Sequence, residues 1–376
     1  MLRKVWFRDK SQGNEGKKRH SRKRILITAA CIALFLGLLS GCFGIVRAVG
    51  KSRLRHSIES TQPELQTVIG AEPLSEEEAH TWQEGWVKYH DTIYEYNEDI
   101  MTFLVMGIDK DSDAVKAAEG TDGGQADALF LVVINPQDKS IKIIGINRNT
   151  MTDIDLYDEE GAYITTTKAQ IAVQHGFGDG MEESCEYQRK AVANLFYGLP
   201  IHGYAAVNMS AISAINDAVG GIKVTVLEDM TAVDSDFVEG SQVHLIGEDA
   251  FWYIKYRDID TFGSADMRLE RQEQYLNGFI KAAKRAVKKD ISVVLNLYRA
   301  ISQQMVTDIS LDEAVYLASI VSDYRFDEDC FHTLNGETVM GEQFEEFYPN
   351  EDALYELIIN TFYKEINEDE ISYNES

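Results

Sequence analysis

Between residues 101 and 280 the chain holds five arginines, Arg148, Arg189, Arg257, Arg268 and Arg271, and three of them fall in the single segment 252–272. Arg268 and Arg271 stand three apart at the head of a helical pattern, a spacing that lets two guanidiniums share a face and converge on one anion. Arg257 lies just before a Gly-containing turn, near enough to join them. A lone arginine in so acidic a chain pairs with surface carboxylates. A cluster beside further acidic and basic positions upstream points instead to a bound anion.

Those upstream positions sit where strands should end. Residues 102–106 form a short apolar run that reads as a buried strand, and Gly107-Ile108-Asp109 leaves a carboxylate at its carboxyl end. Asp127 directly precedes a second apolar run, 128–134. Residues 135–138, Asn-Pro-Gln-Asp, turn the chain into a third, 140–146, so a hairpin is expected, with Arg148 just past its end. Two carboxylates on neighbouring strands suit a hard divalent cation, because Mg²⁺ accepts one or two carboxylates when phosphate completes its shell. An arginine beside them would hold phosphate oxygens. His175 precedes a Gly-rich turn and reads as a structural hydrogen-bonder rather than a general base.

The remaining pattern supplies the scaffold. A helix is expected over 185–197, a strand over 203–209, a helix over 210–219, a strand over 222–226, a short helix over 247–253 and a long one over 267–288. Helix, strand and helix follow at 311–324, 331–339 and 350–366. Ser75 followed by three glutamates reads as a helix cap, and Trp82, Trp86, Tyr89, Ile93 and Tyr96 are spaced as one helical stripe.

Charge divides the chain. Residues 1–24 carry ten Lys or Arg against Asp9 and Glu15, a net of +8, so a total of −26 leaves −34 on residues 25–376. So acidic a body is repelled by nucleic acid, which argues against that partner. The run 25–46 has 22 residues without charge and reaches about 33 Å as a helix, enough to cross a bilayer. The basic residues before it place the amino terminus in the cytoplasm and the rest outside, a single-pass anchor. Leu39-Ser40-Gly41-Cys42 also fits a lipoprotein cleavage site that would leave Cys42 lipidated, but the run stays apolar through Phe43, Ile45 and Val46. Of the cysteines beyond it, Cys185 and Cys330 allow one disulfide. The expected organisation is a basic cytoplasmic tail over 1–24, the span over 25–46, and an extracellular tether with a helix over 47–100. A main domain over 101–290, its C-terminal helical part over 291–366 and an acidic tail over 367–376 complete it.

In order and spacing these motifs resemble the LytR-CpsA-Psr family of bacterial envelope enzymes. The family's G-x-D strand end reads here as Gly107-Ile108-Asp109, its R-[ST]-D motif as Gln125-Ala126-Asp127 and its proline-arginine-aspartate motif as Asn147-Arg148-Asn149. The K-I-N segment reads as Lys168-Ala169-Gln170, the H-L-N-G-E segment as residues 244–257 with Lys255 and Arg257, and G-D-x-x-R-x-x-R-Q as residues 264–272, ending in Gln272. The resemblance covers about residues 100 to 285 and implies an α/β fold, a mixed central sheet flanked by helices on both faces, with a greasy tunnel for a lipid tail.

It also implies a phosphotransferase on the outer face of the cell membrane. Such enzymes move a glycopolymer from a polyprenyl pyrophosphate carrier to peptidoglycan, as in teichoic acid or capsule attachment. By motif position, Asp109 and Asp127 would hold Mg²⁺ (or Mn²⁺), while Arg148, Lys168, Lys255, Arg257, Arg268 and Arg271 would surround the pyrophosphate and Gln272 would support them. Asp127 is the candidate to accept the acceptor hydroxyl's proton. Several positions depart from the pattern: Gln125 stands for an arginine, Asn149 for an aspartate, Gln170 for an asparagine and Lys255 for an arginine. Loss of charge at such sites leaves a second reading open, a catalytically weakened lipid-binding or regulatory envelope protein of the same fold.

Overall fold

The computed structural model describes residues 62–117, 123–158, 160–258 and 260–366. The basic tail, the expected membrane span at 25–46, Cys42 and the acidic tail lie outside the described residues. No helix among the described residues is long and apolar enough to cross a membrane.

A six-stranded mixed sheet organises the chain. It comprises β4 (Met101–Ile108), β5 (Ala126–Asn135), β6 (Ser140–Ile146), β9 (Gly203–Asn208), β12 (Met305–Thr307) and β13 (Phe331–Thr333), in the order β12-β9-β4-β5-β6-β13. The β4–β5 and β5–β6 pairs are antiparallel, whereas β4–β9 and β6–β13 are parallel. The end of β4, the start of β5 and the end of β6 therefore share one sheet edge. Asp109, Asp127 and Arg148 meet there.

The strands read as near-continuous apolar runs because both sheet faces are covered. On one face Leu104, Met106, Leu129, Leu131, Ile144 and Ile146 pack with residues of helices α2 (Glu182–Leu195) and α8 (Glu351–Phe362). On the other, Phe130, Ile141 and Ile143 meet α5 (Ser264–Lys289), and Met101, Phe103 and Ile134 meet α7 (Leu311–Val321). α5 starts at Gly263, whose φ of +78° is left-handed and suits glycine, and ends on Lys288 and Lys289, which favour the helix's negative pole. Its outer flank closes a smaller core with α3 (Ile212–Ala218), α4 (Glu248–Lys255) and the ribbon of β10 (Ile222–Thr225) and β11 (Gln242–Leu245). Helix α6 (Ser292–Ile301) connects α5 to β12.

Two further ribbons flank the sheet's functional edge: β7 (Met151–Tyr157) with β8 (Tyr163–Gln170), and β14 (Gly336–Met340) with β15 (Glu345–Pro349). The expected strand over 331–339 is thus two strands in separate sheets, split by residues 334–335.

The helical stripe expected from Trp82 to Tyr96 is not a helix. Ser75 does cap one, α1 (Glu76–Thr81), with a reciprocal capping box to Glu78, but it stops after six residues. The chain then forms β2 (Val87–Tyr89) and β3 (Thr92–Tyr96), turning at His90 with φ +51°. These strands join β1 (Val68–Ile69) and the late β16 (Tyr363–Glu365) in a four-stranded sheet. Pairing with β16 decides the conformation, and the expected helix over 350–366 correspondingly ends at Phe362. The segment expected as a tether is therefore, from residue 68, sheet-bound to the end of the described chain.

Candidate active site

The candidate site starts from a backbone irregularity. Gly107 pairs with Ala128 and Ile108 with Ala126, so Asp127 is the extra residue of a β-bulge. A bulge re-aims one side chain out of the regular alternation. Asp127 is 9% exposed, and its carboxylate lies between two guanidiniums: Arg268 Nη1 donates to Oδ2 at 3.0 Å, and Arg148 Nη1 is 3.1 Å from Oδ1. Arg268 also donates to the Asp127 carbonyl at 3.4 Å.

Two atoms of this cluster are left unmatched. Arg148 Nε is buried without a hydrogen-bond partner, and Asp127 Oδ1 accepts no hydrogen bond despite its ionic neighbour. Buried polar atoms are nearly always satisfied, so a donor and an acceptor left open at one place make a candidate position for a ligand or an ordered water. Burial pushes the Arg148 guanidinium below its ordinary value, opposed by Asp127 and Asp109 and reinforced by the like charges of Arg268 and Arg257. These five residues thus share one electrostatic field.

The remaining expected residues divide. Lys255 Nζ pairs with Asp111 at 2.7 Å, two residues past Asp109. Arg257 donates from Nη2 to Glu345 Oε2 at 3.1 Å and from Nε to Ser264 Oγ at 2.9 Å. Arg271 does not converge with Arg268 on one anion. It is 1% exposed, donates to the carbonyls of Tyr253 and Tyr256, and pairs through Nε with Glu228 at 2.7 Å. Burial lowers its basicity and Glu228 raises it. With Gln272, which donates to the Ile254 carbonyl at 3.3 Å, it ties α5 to the end of α4 and so places Lys255 and Arg257. Lys168 is not drawn in either: on β8 it stands opposite Asp153 of β7 and pairs with it at 3.1 Å, both side chains exposed.

His175 is a buried structural group, as expected, with Nδ1 3.0 Å from the Gly124 carbonyl. Cys185 and Cys330 are both buried and free, so the disulfide that two cysteines allow is not formed. Sequence reasoning missed Glu345, a 7%-exposed carboxylate on β15, and Glu273 on α5, whose buried Oε1 has no partner. Neither position carries a local signal: each is one glutamate in a glutamate-rich stretch.

Among the described residues no group of three or more His, Cys, Asp or Glu side chains forms a metal cage. The unmatched Asp127 Oδ1 and the exposed Asp109 carboxylate nevertheless fit a cation that takes one or two protein oxygens and completes its shell with phosphate.

Behind the site an apolar cavity of about 340 Å³ opens between α5, α6 and α7, lined by Phe279, Ile280, Leu297, Ala318, Val321 and others. Leu269, beside Arg268, and Leu276 and Ile280 further along α5 belong to one apolar cluster with the sheet residues Phe130, Ile141 and Ile143. A greasy seam therefore links the charged cluster to the cavity, roughly 18 Å along α5 from Arg268 to Ile280.

The chain is similar to known proteins. A polyisoprenyl-teichoic acid–peptidoglycan teichoic acid transferase TagU from Bacillus cereus is 28% identical over 214 residues, 57% of this chain and 62% of that protein. The TagU of Enterococcus faecalis is 27% identical over 229 residues, 61% of this chain and 67% of that protein. The match thus spans about two thirds or less of these relatives' own lengths. The crystal structure of Bacillus subtilis TagV shares the fold, with a TM-score of 0.54 at 23% identity, covering 74% of this chain and 99% of that one. The LytR_cpsA_psr family matches residues 69–360, most of the described chain. By fold, by motif order and by that match, the chain belongs to the LytR_cpsA_psr family.

Proposed function

We propose that the protein is a membrane-anchored phosphotransferase outside the cytoplasm, moving a glycopolymer from a polyprenyl pyrophosphate carrier to a sugar hydroxyl of peptidoglycan. The observation that carries this reading is the orphaned pair, Arg148 Nε and Asp127 Oδ1, beside Arg268 and at the head of an apolar seam. A ligand with charged oxygens at one end and a hydrocarbon tail at the other satisfies both features. The names of the TagU relatives describe transfer of that kind. The uncharged run at 25–46 and the basic residues before it support the anchor and its orientation.

Phosphoryl transfer asks a protein chiefly for alignment and charge neutralisation. In this reading Arg148, Arg257 and Arg268 bind the phosphate oxygens, and the seam and cavity take the isoprenoid tail. The acceptor hydroxyl oxygen forms a bond to phosphorus, the bond to the polyprenyl phosphate breaks, and the Asp127 carboxylate takes the hydroxyl proton through whichever oxygen is not on the cation. Asp109 and Asp127 are the residues that would hold Mg²⁺ or Mn²⁺, which when bound would neutralise pyrophosphate charge.

Full-length protein in detergent, given a glycopolymer-linked polyprenyl pyrophosphate, a peptidoglycan acceptor and Mg²⁺, should release polyprenyl phosphate, and Arg268→Ala should abolish release. A second reading, a lipid-retaining protein without turnover, is favoured by Gln125. Where the family motif has arginine, Gln125 offers Arg148 Nη2 only a neutral acceptor. Co-purified lipid with no product would support that alternative, and Gln125→Arg should then gain activity.

A further inference from the structure

Two of the positions at which this chain departs from its family's motifs meet at one residue. Asn149 Nδ2 donates to Glu345 Oε2 at 3.4 Å. Gln170 Nε2 donates to Asn149 Oδ1 at 3.2 Å and to the Glu345 carbonyl at 2.7 Å. The Glu345 carboxylate also accepts from Arg257 Nη2 at 3.1 Å and, through Oε1, from the Gly263 N–H at 2.7 Å. Glu345 is 7% exposed and Asn149 2%.

We propose that Glu345 is a positioning residue of this site, standing in for the acid absent from position 149 and holding Arg257 and the first turn of α5 in place beside Asp127. The inference rests on the phosphotransferase reading for its catalytic meaning. An aspartate at 149 would set a second carboxylate against Glu345 within about the distance that Asn149 now spans, and like charges so close resist joint ionisation. Asparagine turns the same contact into a donor–acceptor pair. Arg257 thereby has a buried anionic partner on β15. Glu345 also reaches the cap of α5, the helix that carries Arg268, because Gly263 is the residue on which that helix starts. Negative charge at a helix amino terminus is favourable. A single carboxylate therefore governs two cationic arms of the site, with asparagine at 149 as its uncharged donor.

A four-protein cycle tests this: the full-length wild type, Asn149→Asp, Glu345→Gln, and the two changes together. Geranylgeranyl pyrophosphate serves as the probe, and binding and thermal midpoint are read on each protein. Glu345→Gln should weaken probe binding by roughly ten- to a hundredfold, the loss of a charge-assisted contact. Adding Asn149→Asp should restore binding to within a few-fold of the wild type, a rescue that a merely structural role for Glu345 would not produce. Probe affinity unchanged in Glu345→Gln, or a double variant no better than Glu345→Gln, overturns the proposal. If the wild type itself does not bind the probe, the phosphotransferase reading fails instead. The thermal midpoints then decide the charge exchange alone: recovery in the double variant supports it, and simple additivity overturns it.

Discussion

Arg268 donates to Asp127 at 3.0 Å across 141 residues of sequence, joining the head of the longest helix among the described residues to a bulge in the central sheet. Arg268→Ala removes this partner and leaves a buried carboxylate beside Arg148 alone. It should abolish turnover and also destabilise the fold by about 3 kcal/mol. Pairing Arg268→Gln with Asp127→Asn should recover much of the stability and none of the activity. Calorimetry alongside the transfer assay separates the two effects.

Arg271 should behave differently. Its guanidinium serves the Tyr253 and Tyr256 carbonyls and Glu228, away from solvent. Lysine cannot reproduce that fork, so Arg271→Lys should cost about 3 kcal/mol of stability. Probe affinity of the folded protein should stay within a few-fold of the wild type. Arg148→Lys should do the reverse, weakening the probe with little change in unfolding midpoint.

Glu273 gives a pH signature. Burial, reinforced by Glu270, raises its carboxyl to about 7, and its Oε1 would lie 2.7 Å from any Cβ built on Gly145, so the glycine leaves the room it occupies. The fold favours the neutral acid, whose contribution is fully present below about 4.5 and is lost as pH rises through 7. Glu273→Gln should therefore unfold like the wild type at pH 4.5 and be more stable by about 2 kcal/mol at pH 8. Equal midpoints at both values would exclude this linkage.

Acid should act through His202. Its Nδ1 accepts from the Thr102 N–H at 2.9 Å, a role open only to the neutral ring, and burial lowers its value to about 4. Because the unfolded ring protonates near 6.5 while the folded one resists, stability should fall as pH drops from about 6.5 to 4, by about 3 kcal/mol for this group. His175, also lowered to about 4 by burial, should add to the slope. Urea titrations across that range should show the slope reduced in His202→Gln.

The apolar cavity can be plugged. Ala318 lines it, so Ala318→Trp should fill much of its volume. Affinity for a long polyprenyl pyrophosphate should drop by roughly tenfold or more, while a ten-carbon pyrophosphate binds as before. Equal loss for both chain lengths would move the tail elsewhere.

Much of this was legible in the residues alone. The apolar runs at 102–106, 128–134 and 140–146 and the turn between the last two specify the antiparallel strands whose ends carry Asp109, Asp127 and Arg148. The long helix behind Arg268 also lies where its periodicity places it. The segment from Trp82 to Tyr96 shows the limit, because apolar residues spaced three and four apart also satisfy two short strands with a turn between them. Partner β16 lies far downstream, and its pairing selects the sheet.

The sequence by itself determined the chemical inventory and the strand ends that display it, since period and turn chemistry act over a few residues. Tertiary structure alone decided how the cations divide. Arg148 and Arg268 enclose Asp127, Arg271 is spent on backbone carbonyls, Lys168 pairs on an outer ribbon, and Glu345 arrives from a late hairpin to hold Arg257. A side chain's spacing fixes its direction only within its own element, whereas its partner is set by how separate elements pack.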